Sequence, residues 1–434
     1  MKRKTRVVIS LFLTVIIVLT SVVIVSAEQI DVQQKISDRD FLYEIVTPVL
    51  KAKEQYYDIV EASVENVIVE ENYEGGYDVD YILHTEKVLK CEKAIELPQI
   101  QGIANELGLN LANQSTETFI QELKSNSTRN NLITQKNRMS TEILSYLNNN
   151  AVLKERIIDD TCAELADFVA GIETEYIGQV LPGNDSIRAK FDSAGNFLKV
   201  QYGLIEGYTD DISVLLPDSF EEMELRGHQQ VASTLESMIE RVDNNTKIAS
   251  ESEIVSPMAN NFTYYRSVAA DYANTYTSSA SSHKCGKLYH KDKSTLQDYT
   301  KYNQKYDWYC ANDCANYVSQ AMLAGGVPTS STWEPGKTAW INCDDLAKYF
   351  TQTHNWWSTT NFANCNAGGI IAQYSKTDGD LTHVMMNVKN DTVERRFSAH
   401  TNDRYWQEYK DNDSIFGNKH YLVFYRFSVV YPAH

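Results

Sequence analysis

The segment from Tyr306 to Pro328, YDWYCANDCANYVSQAMLAGGVP, decides the fold of the C-terminal part of this 434-residue chain. Asp313 is a typical N-cap residue, and the stretch after it predicts a helix that ends at Gly325-Gly326. Cys314 would lie in the first helical turn, where free backbone N–H groups and the helix dipole favour a thiolate. Cys310 precedes the helix and lacks this environment. If one of these two cysteines is a nucleophile, it is therefore Cys314.

Two other interpretations of Cys314 compete with the nucleophile. A cysteine at a helix start is often a small, buried apolar residue. A zinc site is the second alternative, but a C-x3-C pair followed by the distant, single Cys343 and Cys365 fits a zinc ribbon poorly. The nucleophile hypothesis therefore depends on a base elsewhere in the sequence.

Histidine is the usual base for a thiol nucleophile, and the region after residue 370 supplies one on a predicted strand. Turns at TDGD and KNDT separate three predicted strands: Ile370–Tyr374, Leu381–Val388 and Val393–His400. A two-residue loop at KNDT would pair His383 with Ser398 or His400 and leave both histidines on one face. Ordinary strand histidines are the alternative. The pair predicts His383 as the base and His400 as its orienting group, with Asn402 as an alternative orienter and Asn387 as a weaker one.

From Phe262 to its end, the chain resembles the putative amidase domain family, a papain-like group of secreted bacterial cysteine hydrolases. The resemblance rests on the opening helix YYRSVAADYAN, the segment DCANYVSQAMLAGGVP, and the late blocks TDGDLTHVMMNV and SAHTNDRY. It implies Cys314 as the nucleophile, His383 as the base and His400 as the third member. Two departures are AGGIIAQY, where the family has a Pro-Gly-Asp start, and Thr382, where an acidic residue is common.

The preceding region is acidic and carries no recognisable catalytic pattern. Residues 262–434 contain 17 Lys/Arg and 16 Asp/Glu, so the remainder carries 23 and 42 of the chain's 40 and 58. Strands are predicted over 63–70 and 77–83, mostly helix over 116–176, and a hairpin turning at 193–196. This region is therefore expected to be α+β or mostly helical. A polar stretch at 243–261 is predicted to be a linker.

The N-terminus predicts export. MKRKTR supplies four basic residues before an apolar run from Val7 to Val25, and Ala27 follows at a cleavage-site position. The run is also long enough for a retained membrane anchor. The expected organisation is a signal peptide at 1–27, an acidic region at 28–242, the linker, and an α+β papain-like domain at 262–434.

The expected function is a secreted, cysteine-dependent amidase or peptidase that acts on peptidoglycan or peptides. No metal or organic cofactor is implied. A nucleic-acid partner is not expected, because binding to its backbone needs a basic face. A membrane would be contacted only through an uncleaved signal. The alternative function is a non-catalytic binding or adhesion protein that retains the fold. Pairing among Cys285, Cys310, Cys343 and Cys365 stays open.

Overall fold

The computed structural model describes residues 32–134, 151–205, 207–251, 262–277, 301–309, 312–354, 356–401, 403–410 and 420–427. The predicted signal peptide and the positions Cys285, Cys310 and Asn402 lie outside these residues. No helix in the described ranges has the length and apolarity needed to span a bilayer. The described chain is α+β with antiparallel sheets, which confirms the α+β part of the predicted fold class.

The N-terminal region is built on a five-stranded antiparallel sheet with strands in chain order, β1-β2-β3-β4-β5. Its strands are β1 (Tyr57–Glu71), β2 (Tyr77–Leu89), β3 (Leu181–Phe191), β4 (Phe197–Gly203) and β5 (Tyr208–Thr209). Its helices are α1 (Arg39–Lys53), α2 (Pro98–Glu106), α3 (Thr116–Leu123), α4 (Asn126–Thr134), α5 (Ala151–Glu175) and α6 (Phe220–Glu251). The two predicted strands, the helical segment and the hairpin all correspond to these elements.

The stretch predicted as a linker, residues 243–261, is helical as far as Glu251. The helix continues because the sequence after Gly227 contains no glycine or proline until Pro257. Along the way α6 contacts the C-terminal part, where Ser237 Oγ donates to the carbonyl of Thr359 at 3.3 Å. Residues 243–251 of the predicted linker are therefore part of a helix.

The C-terminal part contains a six-stranded antiparallel sheet in the order β10-β9-β8-β7-β11-β6. Its strands are β6 (Trp357–Thr360), β7 (Ile370–Ser375), β8 (Leu381–Asn390), β9 (Arg395–Ala399), β10 (Arg404–Glu408) and β11 (His420–Phe427). Its helices are α7 (Arg266–Thr275), α8 (Cys314–Ala324), α9 (Thr338–Ile341) and α10 (Cys343–Lys348). The predicted nucleophile helix is α8, and it packs against β8.

The central strands β7 and β8 are buried on both faces. Alternate residues belong to two cores: Ile370, Ala372, Val384 and Met386 pack with the helices α7 to α10, and Ile371 and Met385 pack with the N-terminal region. A strand buried on both faces is typically a continuous apolar run, as in VMM and IIA here. The N-terminal region therefore covers the face of this sheet opposite the nucleophile helix.

The core between the two sheets is shared by both parts of the chain. The N-terminal region contributes Leu42, Val46, Val79 and Ile187, and the C-terminal part contributes Phe362, Ile371, Met385, Phe397 and Phe424. All of these side chains are buried. The two parts of the chain therefore share this apolar core.

A network of buried charges crosses the same boundary. Lys53 of α1 lies 2.7 Å from Glu394 and 2.5 Å from Glu408, and Arg396 lies 2.9 Å from Asp185 of β3. The network also includes Lys87, Lys389 and Asp391, and every side chain in it is fully buried. Four cations thus face four anions, because a buried charge is tolerated only when it is paired.

Candidate active site

Polar side chains of α8 hold this helix against a layer of tryptophans. Trp340 Nε1 donates to Asn316 Oδ1 at 2.7 Å, and Trp333 Nε1 donates to Ser319 Oγ at 3.3 Å. Both indoles are completely buried. Asn316 and Ser319 of the motif NYVSQ therefore accept hydrogen bonds from the buried indole N–H groups, and both tryptophans pack in the core.

Cys314 is the first residue of α8, as the sequence predicts. Its thiol lies within hydrogen-bonding reach of Cys343 and of His383. The hydrogen bond from Cys343, reinforced by the hydrogen bond and charge of His383, outweighs burial and holds the pKa of Cys314 well below its usual range. The structure therefore brings the predicted nucleophile and the predicted base together at a helix start.

Cys343 is the second thiol of the site, and its Sγ lies 3.3 Å from Cys314 Sγ. It is the first residue of α10, where Asp344 follows it. The hydrogen bond with Cys314, burial and the nearby charges of Cys314 and Asp344 raise the pKa of Cys343 well above its usual range. The two pKa directions favour the charge on Cys314 rather than on Cys343. The five described cysteines, Cys91, Cys162, Cys314, Cys343 and Cys365, are all free thiols.

His400 contacts the residue before α8, and both of its ring nitrogens are bonded to partners other than His383. Its Nδ1 donates to Asp313 Oδ2 at 2.6 Å, and its Nε2 donates to the carbonyl of Tyr276 at 2.6 Å. Both partners only accept, so both ring nitrogens carry hydrogen and the ring is an imidazolium. Burial lowers the pKa of His400, but the hydrogen bond to Asp313 and the charges of Asp403 and Asp313 outweigh it and raise that pKa.

The register of β8 and β9 differs from the one predicted from the sequence. Asn390 pairs with Arg395, so four residues connect the strands, and Met386 is the partner of Ser398. The predicted two-residue loop, which would have paired His383 with Ser398 or His400, is therefore wrong. Buried Asp391 shapes the longer turn, because its Oδ1 accepts from the N–H groups of Val393 and Glu394.

Asp313 occupies the N-cap position of α8 but makes no side-chain hydrogen bond to the helix backbone. Its Oδ1 accepts from the backbone N–H of Tyr309 at 2.9 Å and from Asn316 Nδ2 at 2.8 Å. Its Oδ2 accepts from His400. Asp313 thus supports the nucleophile helix by tying it to the chain before it and to β9, and the first-turn N–H groups have no side-chain cap from it.

Residues 263–424 match the family model described as Putative amidase domain. This C-terminal part of the chain is therefore similar to that family. A Bacillus subtilis (strain 168) protein, "Uncharacterized protein YjcM", is 41% identical over 49 residues, which are 11% of this chain and 12% of that protein. The chain thus covers about an eighth of that relative's length. No solved structure matches the chain.

The sequence did not predict a role for two residues that lie near Cys314 or His383. Cys343 had no local signal, because its contact with Cys314 joins two helix starts 29 residues apart. Gln373 is the cross-strand partner of His383, is almost fully buried, and its Oε1 has no hydrogen-bond partner among the described residues. A lone amide in the apolar strand IIAQY was a usable signal for it.

The remaining orienter candidate within the described amidase domain, Asn387, is engaged elsewhere. Its Nδ2 donates to the carbonyl of Cys365 at 2.6 Å, and its Oδ1 accepts from Tyr409 at 3.1 Å. Among the described residues, no set of three or more His, Cys, Asp and Glu side chains is arranged to hold a metal ion.

Proposed function

We propose that this protein is an exported, papain-like thiol hydrolase that cleaves amide or peptide bonds of the cell wall. The observation that carries the proposal is the contact of Cys314 with His383 at the start of α8, together with the lowered pKa of the thiol. The amidase family match supports an amide substrate. The basic and apolar N-terminal sequence supports export.

In the proposed mechanism, His383 holds the proton taken from Cys314. The thiolate attacks the carbonyl carbon, and backbone N–H groups at the start of α8 stabilise the oxyanion. His383 then donates its proton to the leaving amine as the C–N bond breaks. Water, deprotonated by His383, finally attacks the thioester and releases the acid and Cys314.

Gln373 is the residue proposed to orient His383. Opposed residues of an antiparallel pair have Cβ atoms about 5 Å apart, which is within reach of an amide and an imidazole. Gln373 has a free acceptor, whereas both nitrogens of His400 are bonded to Asp313 and Tyr276. In this arrangement His400 positions the helix that carries Cys314 through its hydrogen bond to Asp313.

The test is digestion of purified peptidoglycan by residues 28–434, with wild type beside Cys314→Ala and mass spectrometry of the released fragments. We expect fragments from the wild type only, and their masses identify the bond that is cut. If no fragments form but Cys314 alkylates rapidly, the substrate is a protein or peptide instead. If no fragments form and Cys314 alkylates slowly, the enzyme proposal fails and the binding-protein alternative takes its place.

A further inference from the structure

Two thiols of opposite character lie side by side in the site. Cys314 Sγ and Cys343 Sγ are 3.3 Å apart, and closing that gap to the disulfide length of about 2 Å requires a shift of little more than 1 Å. Each cysteine begins a helix, α8 and α10, and the two helices pack against each other. The pair thus needs only a small movement to become covalently bonded.

We propose that Cys314 and Cys343 form a reversible disulfide under oxidising conditions, which inactivates the hydrolase and shields its nucleophile from irreversible oxidation. Cys343 is the resolving thiol in this scheme. The bond itself depends only on the two thiols, whereas the loss of hydrolysis rests on the function proposed above. Outside the cell, where we propose that the protein acts, such bonds persist.

The oxidant in the proposal is hydrogen peroxide. The Cys314 thiolate attacks one peroxide oxygen, the O–O bond breaks, and the departing hydroxide takes up a proton to become water. Cys314 is then a sulfenic acid. The Cys343 sulfur attacks the sulfenic sulfur, the S–O bond breaks, and the Cys343 proton leaves with the oxygen as a second water. Two thiols and one peroxide thus yield one disulfide and two waters.

The local charges order these two steps. Cys314 carries the thiolate that reacts first, because His383 lies beside it and Asp344 disfavours a charge on Cys343. Once Cys314 is a sulfenic acid, its negative charge no longer opposes ionisation of Cys343. Cys314 and Cys343 are 6% and 9% exposed, so a small oxidant reaches them more readily than a protein thiol does.

The experiment treats purified wild type, Cys343→Ala and Cys91→Ser with hydrogen peroxide, before and after a phosphine reductant. Cys91 is a partly exposed thiol of the N-terminal region and serves as the matched control. Peptide mass mapping without reduction and the alkylation rate of Cys314 are both measured. Neither readout requires a known substrate, so failure of the proposed function does not obscure the result.

In wild type and Cys91→Ser we expect a loss of about 2 Da and a peptide pair joining Cys314 to Cys343. Alkylation of Cys314 should fall at least about tenfold and return after reduction. In Cys343→Ala, Cys314 should instead gain about 32 Da as a sulfinic acid and stay unreactive after reduction. The proposal fails if sulfinic acid forms as readily in wild type. It also fails if Cys314 is found bonded to Cys285 or Cys310.

Discussion

The environment of Cys314 separates it from three other described cysteines. Burial raises the pKa of Cys91 to about 12, of Cys162 to about 11 and of Cys365 to about 12, because a thiolate is poorly solvated there. Cys314 is buried as well, but its hydrogen bonds with Cys343 and His383 outweigh burial and hold its pKa low. Among the described cysteines, only Cys314 has a pKa that its surroundings lower.

This difference predicts the pH dependence of alkylation. An ordinary thiol is about 3% ionised at pH 7 and gains about tenfold in rate for each pH unit below its pKa. Wild-type Cys314 should react with iodoacetamide at a nearly constant rate between pH 7 and pH 8.5. His383→Gln removes a stabilising neighbour, so the rate should become smaller at pH 7 and rise with pH. A wild-type rate that climbs tenfold per unit through pH 8 would contradict the thiolate.

Peptidoglycan release and the pH profile of alkylation together decide which residue orients His383. We expect Gln373→Ala to slow peptidoglycan release mainly through kcat, by about tenfold or more, because the imidazole loses its partner in the ladder. The conservative variant Gln373→Asn should recover part of that loss. His400→Gln, by contrast, should leave the pH profile of alkylation in place. If His400→Gln shifts that profile and Gln373→Ala does not, the assignment is reversed.

At the scale of the element, the ion pair of His400 with Asp313 anchors the start of α8. The imidazolium lies between the rings of Tyr302 and Tyr317, with centroids 4.2 Å from each. Aromatic faces on both sides favour a cation, and the two hydrogen bonds consume both of its donors. The position of Cys314, the proposed nucleophile, therefore depends on the contact of His400 with the preceding residue, Asp313.

We predict that His400→Gln lowers the free energy of unfolding by about 3–5 kcal/mol near pH 6, because Asp313 keeps its buried charge and loses its counter-ion. The folded pKa of His400 is raised, so its contribution is complete below about pH 6.5 and declines as pH rises through the folded pKa. The difference between wild type and variant should accordingly shrink toward pH 9. Urea unfolding at both pH values measures it, and a difference that grows with pH would refute the imidazolium.

These helices and strands show which structural features local sequence signals can predict. Helix α8 was predictable, because its cap position, alanine-rich body and Gly-Gly stop are all local signals. The three strands β7 to β9 were predictable for the same reason. The register of β8 and β9 was not, because the extended turn depends on the buried carboxylate of Asp391. Cys343 and Gln373 were missed because tertiary contacts alone give them a role.

At the scale of the whole molecule, the buried charge network joins the N-terminal region to the amidase domain. Burial opposes ionisation of Glu394, but the charges of Arg396, Lys53 and Lys87 outweigh it and hold its pKa well below the usual range. Two of these cations, Lys53 and Lys87, come from the N-terminal region. The C-terminal sheet therefore takes two of its buried counter-ions from the other part of the chain.

We predict that Lys53→Met destabilises the protein by about 3–5 kcal/mol, since Glu394 and Glu408 stay buried with fewer cations. The matched control is Lys337→Met, which breaks an ion pair of 3.6 Å with Glu334 in which both side chains are about half exposed. That change should cost about 0–1 kcal/mol. Chemical denaturation of both variants provides the comparison, and equal effects would show that the network adds no stability.

The apolar core shared by the two sheets also determines what a protease cut does to this protein. If a recognition site is inserted between residues 252 and 261 and cleaved, the fragments should co-elute as one species, because the shared core and the paired charges are untouched. The peptide connection there is then dispensable for a folded protein that has already assembled. Expressed separately, residues 262–434 should aggregate, since one face of their sheet is without its cover. Mixing both denatured fragments and removing the denaturant should restore the complex.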